Sequence, residues 1–120
     1  MKMLIVDDSK IIKKMIYDIC SQFTGISIVG FASDGEEAIS LFLKTRPQIV
    51  TMDLTMPNID GIEAIKEIMK IENKTKILVI SALSDQETAL ESISLGASGF
   101  LYKPFSKEEL VEAIVGILEE

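Results

Sequence analysis

A chain of 120 residues, 48% of them hydrophobic, holds enough apolar material for one buried core and too little length for a second, so function must reside on a single domain, residues 1–120. A formal net charge of −7, with no run of Lys or Arg, argues against gripping a nucleic-acid backbone directly. One cysteine, Cys20, and no histidine exclude an internal disulfide and leave zinc without its usual ligands. The apolar runs are too short to span a bilayer and no signal pattern follows Met1, so the chain reads as cytoplasmic, with no membrane insertion.

The first apolar run, residues 3–6, ends at the acidic doublet Asp7-Asp8. From Ser9 onward the spacing of Ile11, Ile12, Met15, Ile16, Ile19, Cys20 and Phe23 predicts a helix with an apolar stripe. Lys10, Lys13, Lys14 and Asp18 fall on its wet side, and Asp8 or Ser9 supplies the cap. Cys20 lies on the stripe and reads as a small buried hydrophobe. A strand follows at 28–32, then a helix from near Asp34 that buries Ala38, Leu41 and Phe42 before Pro47. Residues 49–52 form the third strand, and a helix from near Gly61 turns Ile62, Ile65 and Met69 inward. The fourth strand spans 77–80, and a helix runs from about Asp85 to Leu95, before Gly96. After a strand at 100–102, Ser106 and Glu109 make a capping-box pattern for a last helix burying Leu110, Val111, Ile114, Ile117 and Leu118.

The strand runs are short, rich in β-branched residues and do not alternate with polar ones, which suits a parallel sheet covered on both faces. Strand and helix alternate five times, so the fold class is α/β, doubly wound, with right-handed crossovers.

In such a sheet the residues after each strand gather at one edge, where ligands bind. Those positions are Asp7 and Asp8 after strand 1, Asp53 after strand 3, Ser81 after strand 4 and Lys103 after strand 5. Three carboxylates at one edge form a hard, oxygen-rich pocket suited to Mg²⁺. Bound by a few protein oxygens, that ion keeps positions open for phosphate, while Lys103 adds positive charge and Ser81 a hydrogen-bond donor. Asp53, standing alone, is then placed to be the nucleophile toward phosphorus, and the Asp7-Asp8 pair to hold metal.

The segments "LIVDDS", "IVTMDLTMPNIDG", "VISA" and "GASGFLYKPF" resemble the receiver domains of two-component response regulators, and among them single-domain CheY-like chemotaxis proteins. The likeness covers essentially the whole chain. It implies a flavodoxin-like, three-layer α/β/α fold whose five-stranded parallel sheet has the order 2-1-3-4-5, with five helices. It further implies that Asp53 accepts a phosphoryl group from the phosphohistidine of a sensor histidine kinase. Asp8 and, through water, Asp7 would hold Mg²⁺ together with Asp53 and the backbone carbonyl of Thr55. Ser81 and Lys103 would contact the phosphate, and Ala82 would leave its approach open. Lys103-Pro104 matches the family's cis peptide bond, and Phe100 the aromatic whose rotamer reports phosphorylation. As a strand aromatic, Phe100 would serve equally well as plain core.

The implied module is a signalling phosphoacceptor that assists only its own phosphorylation and slow dephosphorylation, not a turnover enzyme. Its output would be a changed helix 4, strand 5 and helix 5 face for a protein target, with a flagellar motor switch protein as the first candidate and a phosphatase as another partner. A phosphorelay intermediate, or a fragment of a longer transcriptional regulator, is the alternative reading. Thr55 and Leu83 stand where the enteric chemotaxis pattern has an amide and an acid, and bulky Leu83 is expected to shield the phosphoryl group from water. Other classes fit poorly. An aspartate-nucleophile phosphohydrolase would need an acid where Thr55 stands, a flavodoxin-like cofactor binder would need a phosphate loop in place of "DDSK", and no P-loop motif occurs.

Overall fold

In the computed structural model, which describes residues 1–119 apart from Leu83 and Asp85, strands and helices alternate from one end to the other. They are β1 (Lys2–Val6), α1 (Lys10–Cys20), β2 (Ser27–Ala32), α2 (Gly35–Thr45), β3 (Ile49–Met52), α3 (Gly61–Ile71), β4 (Lys76–Ala82), α4 (Gln86–Ser94), β5 (Gly99–Lys103) and α5 (Lys107–Leu118). The strands form one sheet in the order β2-β1-β3-β4-β5, every neighbouring pair parallel. This is the flavodoxin-like order that the resemblance implied. No helix among the described residues is long and apolar enough to cross a membrane.

Strand periodicity divides the core in two. Leu4 and Val6, Val50 and Met52, and Ile77 and Val79 point to one face, where Ala38 and Phe42 of α2, Ala64, Ile65 and Ile68 of α3 and Ala89 of α4 cover them. Met3 and Ile5, Ile49, and Leu78 and Ile80 point to the other face, beneath Ile16 and Cys20 of α1 and Leu110, Ile114 and Ile117 of α5. Because β1, β3 and β4 are buried on both faces, their central positions are apolar apart from Thr51 and, at the C-terminal end of β4, Ser81, which is why no regular alternation appears in the sequence.

The helix starts follow local chemistry. The Ser9, Asp34 and Asp60 side chains accept from the backbone N–H of Ile12, Glu37 and Glu63, and Ser106 and Glu109 complete a reciprocal capping box. Each start lies just beyond the sheet's C-terminal edge.

Several expectations change. Ile11 and Met15 are 75% and 36% exposed, so the stripe on α1 is narrower than its apolar spacing suggests. At 3.6 residues per turn, Ile11 lies about 140° and Met15 about 100° around the helix from buried Ile16, beyond the arc that the sheet can cover. Lys13, expected on the wet side, is half-buried, its Nζ donating to Ser33 Oγ at 2.5 Å. Phe23 packs against the α1/α5 core from the turn beyond the helix end. Strand β4 continues through Ser81 and Ala82, and β5 through Lys103, paired as Ser81 with Tyr102 and Ala82 with Lys103. A ladder is held by backbone groups, so it extends past the point where apolar side chains stop.

Candidate functional site

The site begins with strand register. Val6 pairs with Met52 across β1 and β3, and Asp53 N–H donates to the Val6 carbonyl at 3.0 Å, while Asp7 N–H donates to the Ala32 carbonyl at 3.0 Å. The ladder therefore carries one residue past each strand and sets Asp7 and Asp53 side by side at the C-terminal edge. Asp7 is 1% and Asp53 4% exposed, whereas Asp8 faces solvent. Oxygens of Asp7, Asp8 and Asp53 all lie within 4.8 Å of one another.

From β5, Lys103 Nζ reaches 2.8 Å from Asp7 Oδ2 and 3.6 Å from Asp53 Oδ2. The shorter contact lacks hydrogen-bond direction, since Asp7 Oδ2 has no angular partner, so it is a Coulombic pair. The other Asp7 oxygen accepts the Ser9 N–H at 2.9 Å, and Asp53 Oδ1 accepts the Thr55 N–H at 3.3 Å. These turns fix each carboxylate by the backbone two residues on.

Burial, followed by the negative charge of Asp7, pushes the Asp53 carboxyl up from 3.8 to about 6, against the opposing pull of Lys103 and the Thr55 N–H. Asp53 is therefore ionised at neutral pH yet more basic than an exposed aspartate, a favourable state for a nucleophile. One ammonium among three carboxylates leaves the site net negative. The donor set is all oxygen, hard and anionic, the kind that surrounds a small divalent cation. Thus the residues present fit a metal.

Ser81 lies at the same edge, fully buried, and its hydroxyl has no hydrogen-bond partner among the described residues. Thr55 is exposed in the loop after β3, and its N–H holds Asp53. Phe100 is not at the acidic edge. It is 39% exposed, three residues before Lys103, with its ring 5.2 Å from that of Tyr102. The Lys103-Pro104 bond is cis. Leu83, expected to shield the site, lies outside the described residues. Two features had no clear signal in the sequence. One is the ion pair from Lys103 to Asp7, which needs tertiary proximity. The other is Thr51, whose buried hydroxyl also lacks a partner among the described residues, two positions before Asp53 on the same face of β3. Cys20 is buried and its thiol is pushed up to about 12 by desolvation, so it is packing material.

With this edge geometry in view, the pattern of the response regulator receiver domain matches residues 3–115. The chain belongs to the response regulator receiver domain family. The receiver is 44% identical to the chemotaxis protein CheY of Thermotoga maritima over 113 residues, 94% of this chain and 93% of that protein. It is 39% identical to CheY of Bacillus subtilis, again covering 94% and 93% of the two chains. Among solved structures, the CheX-CheY-BeF3-Mg²⁺ complex of Borrelia burgdorferi contains a chain 31% identical, superposing with a TM-score of 0.91 over 98% of this receiver and 88% of that chain. Membership in this family implies a histidine kinase as phosphodonor and a downstream target.

Proposed function

We propose that this receiver is a chemotaxis response regulator of the cytoplasm in which Asp53 accepts a phosphoryl group. The single observation that carries the reading is the position of Asp53, buried at the sheet edge between Asp7, Asp8 and Lys103, in a chain that matches the receiver family along nearly its whole length. An Asp53 carboxylate oxygen forms the new bond to phosphorus as the bond from phosphorus to the donor's histidine nitrogen breaks. Lys103, released from Asp7, takes a phosphoryl oxygen, and Ser81 donates its unpartnered hydroxyl to another. Asp7, Asp8, Asp53 and the Thr55 carbonyl would hold Mg²⁺, which when bound would supply neutralising charge to the transferring group.

The output follows from a repacking that favours one of two arrangements. Drawing Ser81 toward the phosphoryl group moves the end of β4, to which β5 is paired. The face affected carries exposed Leu90 and Ile93 on α4, Phe100 on β5 and Val115 on α5. That apolar surface suits a protein partner, a flagellar motor switch protein being the candidate that the chemotaxis relatives favour. A phosphatase that removes the group is a further partner of the same pathway.

The test is incubation with acetyl phosphate, with and without Mg²⁺, followed by intact mass. A phosphoryl adduct that requires Mg²⁺ and is absent from Asp53→Asn is the expected result. No adduct, or an equal adduct in the variant, would overturn the proposal.

A further inference from the structure

The loop from Leu54 to Asp60 leaves the phosphoacceptor and must return to α3. At its root, Gly61 N–H donates to the Leu54 carbonyl at 3.1 Å, and the Thr55 N–H donates to Asp53. Its outer side is held by a different element. Gly35, the first residue of α2, donates its N–H to the Ile59 carbonyl at 2.8 Å. The two backbones are so close that a Cβ on Gly35 would fall 2.1 Å from the Ile59 carbonyl oxygen. Beside this contact, Asn58 Nδ2 donates to Asp34 Oδ2 at 2.8 Å.

Both side chains are specialised for these positions. Asn58 has φ 64, the left-handed region that Asn tolerates better than most residues. Asp34 uses one oxygen to cap α2 through the Glu37 N–H at 2.8 Å, leaving the other for Asn58. The loop that carries Asp34 is anchored in turn. Ser33 N–H donates to Glu37 Oε1 at 2.7 Å, and Lys13 on α1 donates to Ser33 Oγ. A chain of hydrogen bonds thus runs from the helix that follows Asp7 and Asp8 to the loop that follows Asp53.

We propose that Asp34 and Asn58 are a positioning pair, setting how the Thr55 carbonyl and the Asp53 carboxylate stand relative to one another without touching metal or phosphoryl group. This rests on the reading of Asp53 as phosphoacceptor. The contact is exposed and contributes little to holding the fold, but a small displacement at a reacting centre changes rate steeply. Its loss therefore acts chiefly on the site.

The experiment compares Asp34→Ser, Asn58→Gly, their combination, and the exchange Asp34→Asn with Asn58→Asp. Ser keeps the helix cap while removing the acceptor, Gly keeps the left-handed backbone while removing the donor, and the exchange restores both. Mg²⁺ affinity is measured by calorimetry, the rate of the acetyl phosphate adduct by intact mass, and the unfolding midpoint in urea. Each single variant is expected to lose about three- to tenfold in Mg²⁺ affinity and adduct rate. The combination should lose no more than the larger single, and the exchange should return to within about twofold. Singles indistinguishable from wild type, losses that multiply in the combination, or an exchange that fails to rescue would each overturn the pair. A wild-type protein that binds Mg²⁺ but forms no Asp53 adduct would overturn the phosphoacceptor reading, while the Mg²⁺ affinities still decide the pair. Wild type that binds no Mg²⁺ would overturn both.

Discussion

Asp53→Asn removes one of three carboxylates whose oxygens lie within 4.8 Å, and its effect on stability should reverse with metal. In the free protein, burial and Asp7 raise the Asp53 carboxyl from 3.8 to about 6. A raised acid means that the folded form binds the proton more tightly than the unfolded chain. Stability from this group is therefore complete below about pH 4 and is lost as pH rises through about 6. At about 1.4 kcal/mol per tenfold change in proton affinity, the ceiling is roughly 3 kcal/mol, and water at the sheet edge reduces it to about 2. Asn carries no charge and escapes the loss. In EDTA near pH 7.5 the variant should be about 2 kcal/mol more stable than wild type by urea unfolding, with the difference fading by about pH 4. Saturating Mg²⁺, at about a hundred times its dissociation constant, should return roughly 2.7 kcal/mol to wild type and much less to the variant. A variant that is equal or less stable in EDTA, or an advantage that persists unchanged at low pH, would refute the electrostatic account.

Three other outcomes follow from particular contacts. A Cβ on Gly61 would meet the Asp53 carbonyl oxygen at 2.3 Å, so Gly61→Ala should cost about 1–3 kcal/mol and weaken Mg²⁺ binding. Gly116→Ala, with nothing within 4 Å, should instead stabilise α5 by about 0.5–1 kcal/mol, both read from urea midpoints. Ile11 is so exposed that Ile11→Glu should change stability by under about 0.5 kcal/mol and leave the acetyl phosphate adduct unchanged, while slowing transfer from a kinase that must dock beside the site. Kinase transfer at the wild-type rate would show that the exposed Ile11 face of α1 takes no part in the encounter with the kinase. The ring signals of Phe100 should shift when beryllofluoride and Mg²⁺ are added, as nuclear magnetic resonance would report; an unmoved ring would assign Phe100 to packing.

Much of this was legible along the chain because the physics involved is local. Unbroken apolar runs such as residues 49–52 mark strands buried on both faces, and Ser106 with Glu109 announces a helix start from four residues alone. The gathering of Asp7, Asp8, Asp53, Ser81 and Lys103 at one edge was legible for the same reason, since parallel strands must all deliver their next residues there. Strand order came through family likeness. Ile11 and Met15 were misplaced because apolar spacing does not reveal how wide an arc the sheet will cover.

By itself, then, the sequence determined the alternation of elements, the caps and the set of acids, hydroxyl and lysine available for chemistry. Tertiary structure alone decided that Lys103 pairs with Asp7 in the free protein, that burial makes Asp53 more basic, and that Asn58 meets Asp34. The physical reason is range. Helix caps and strand patterns depend on neighbours a few residues away, whereas charge pairing and desolvation depend on what the folded chain brings within a few ångströms from far along it.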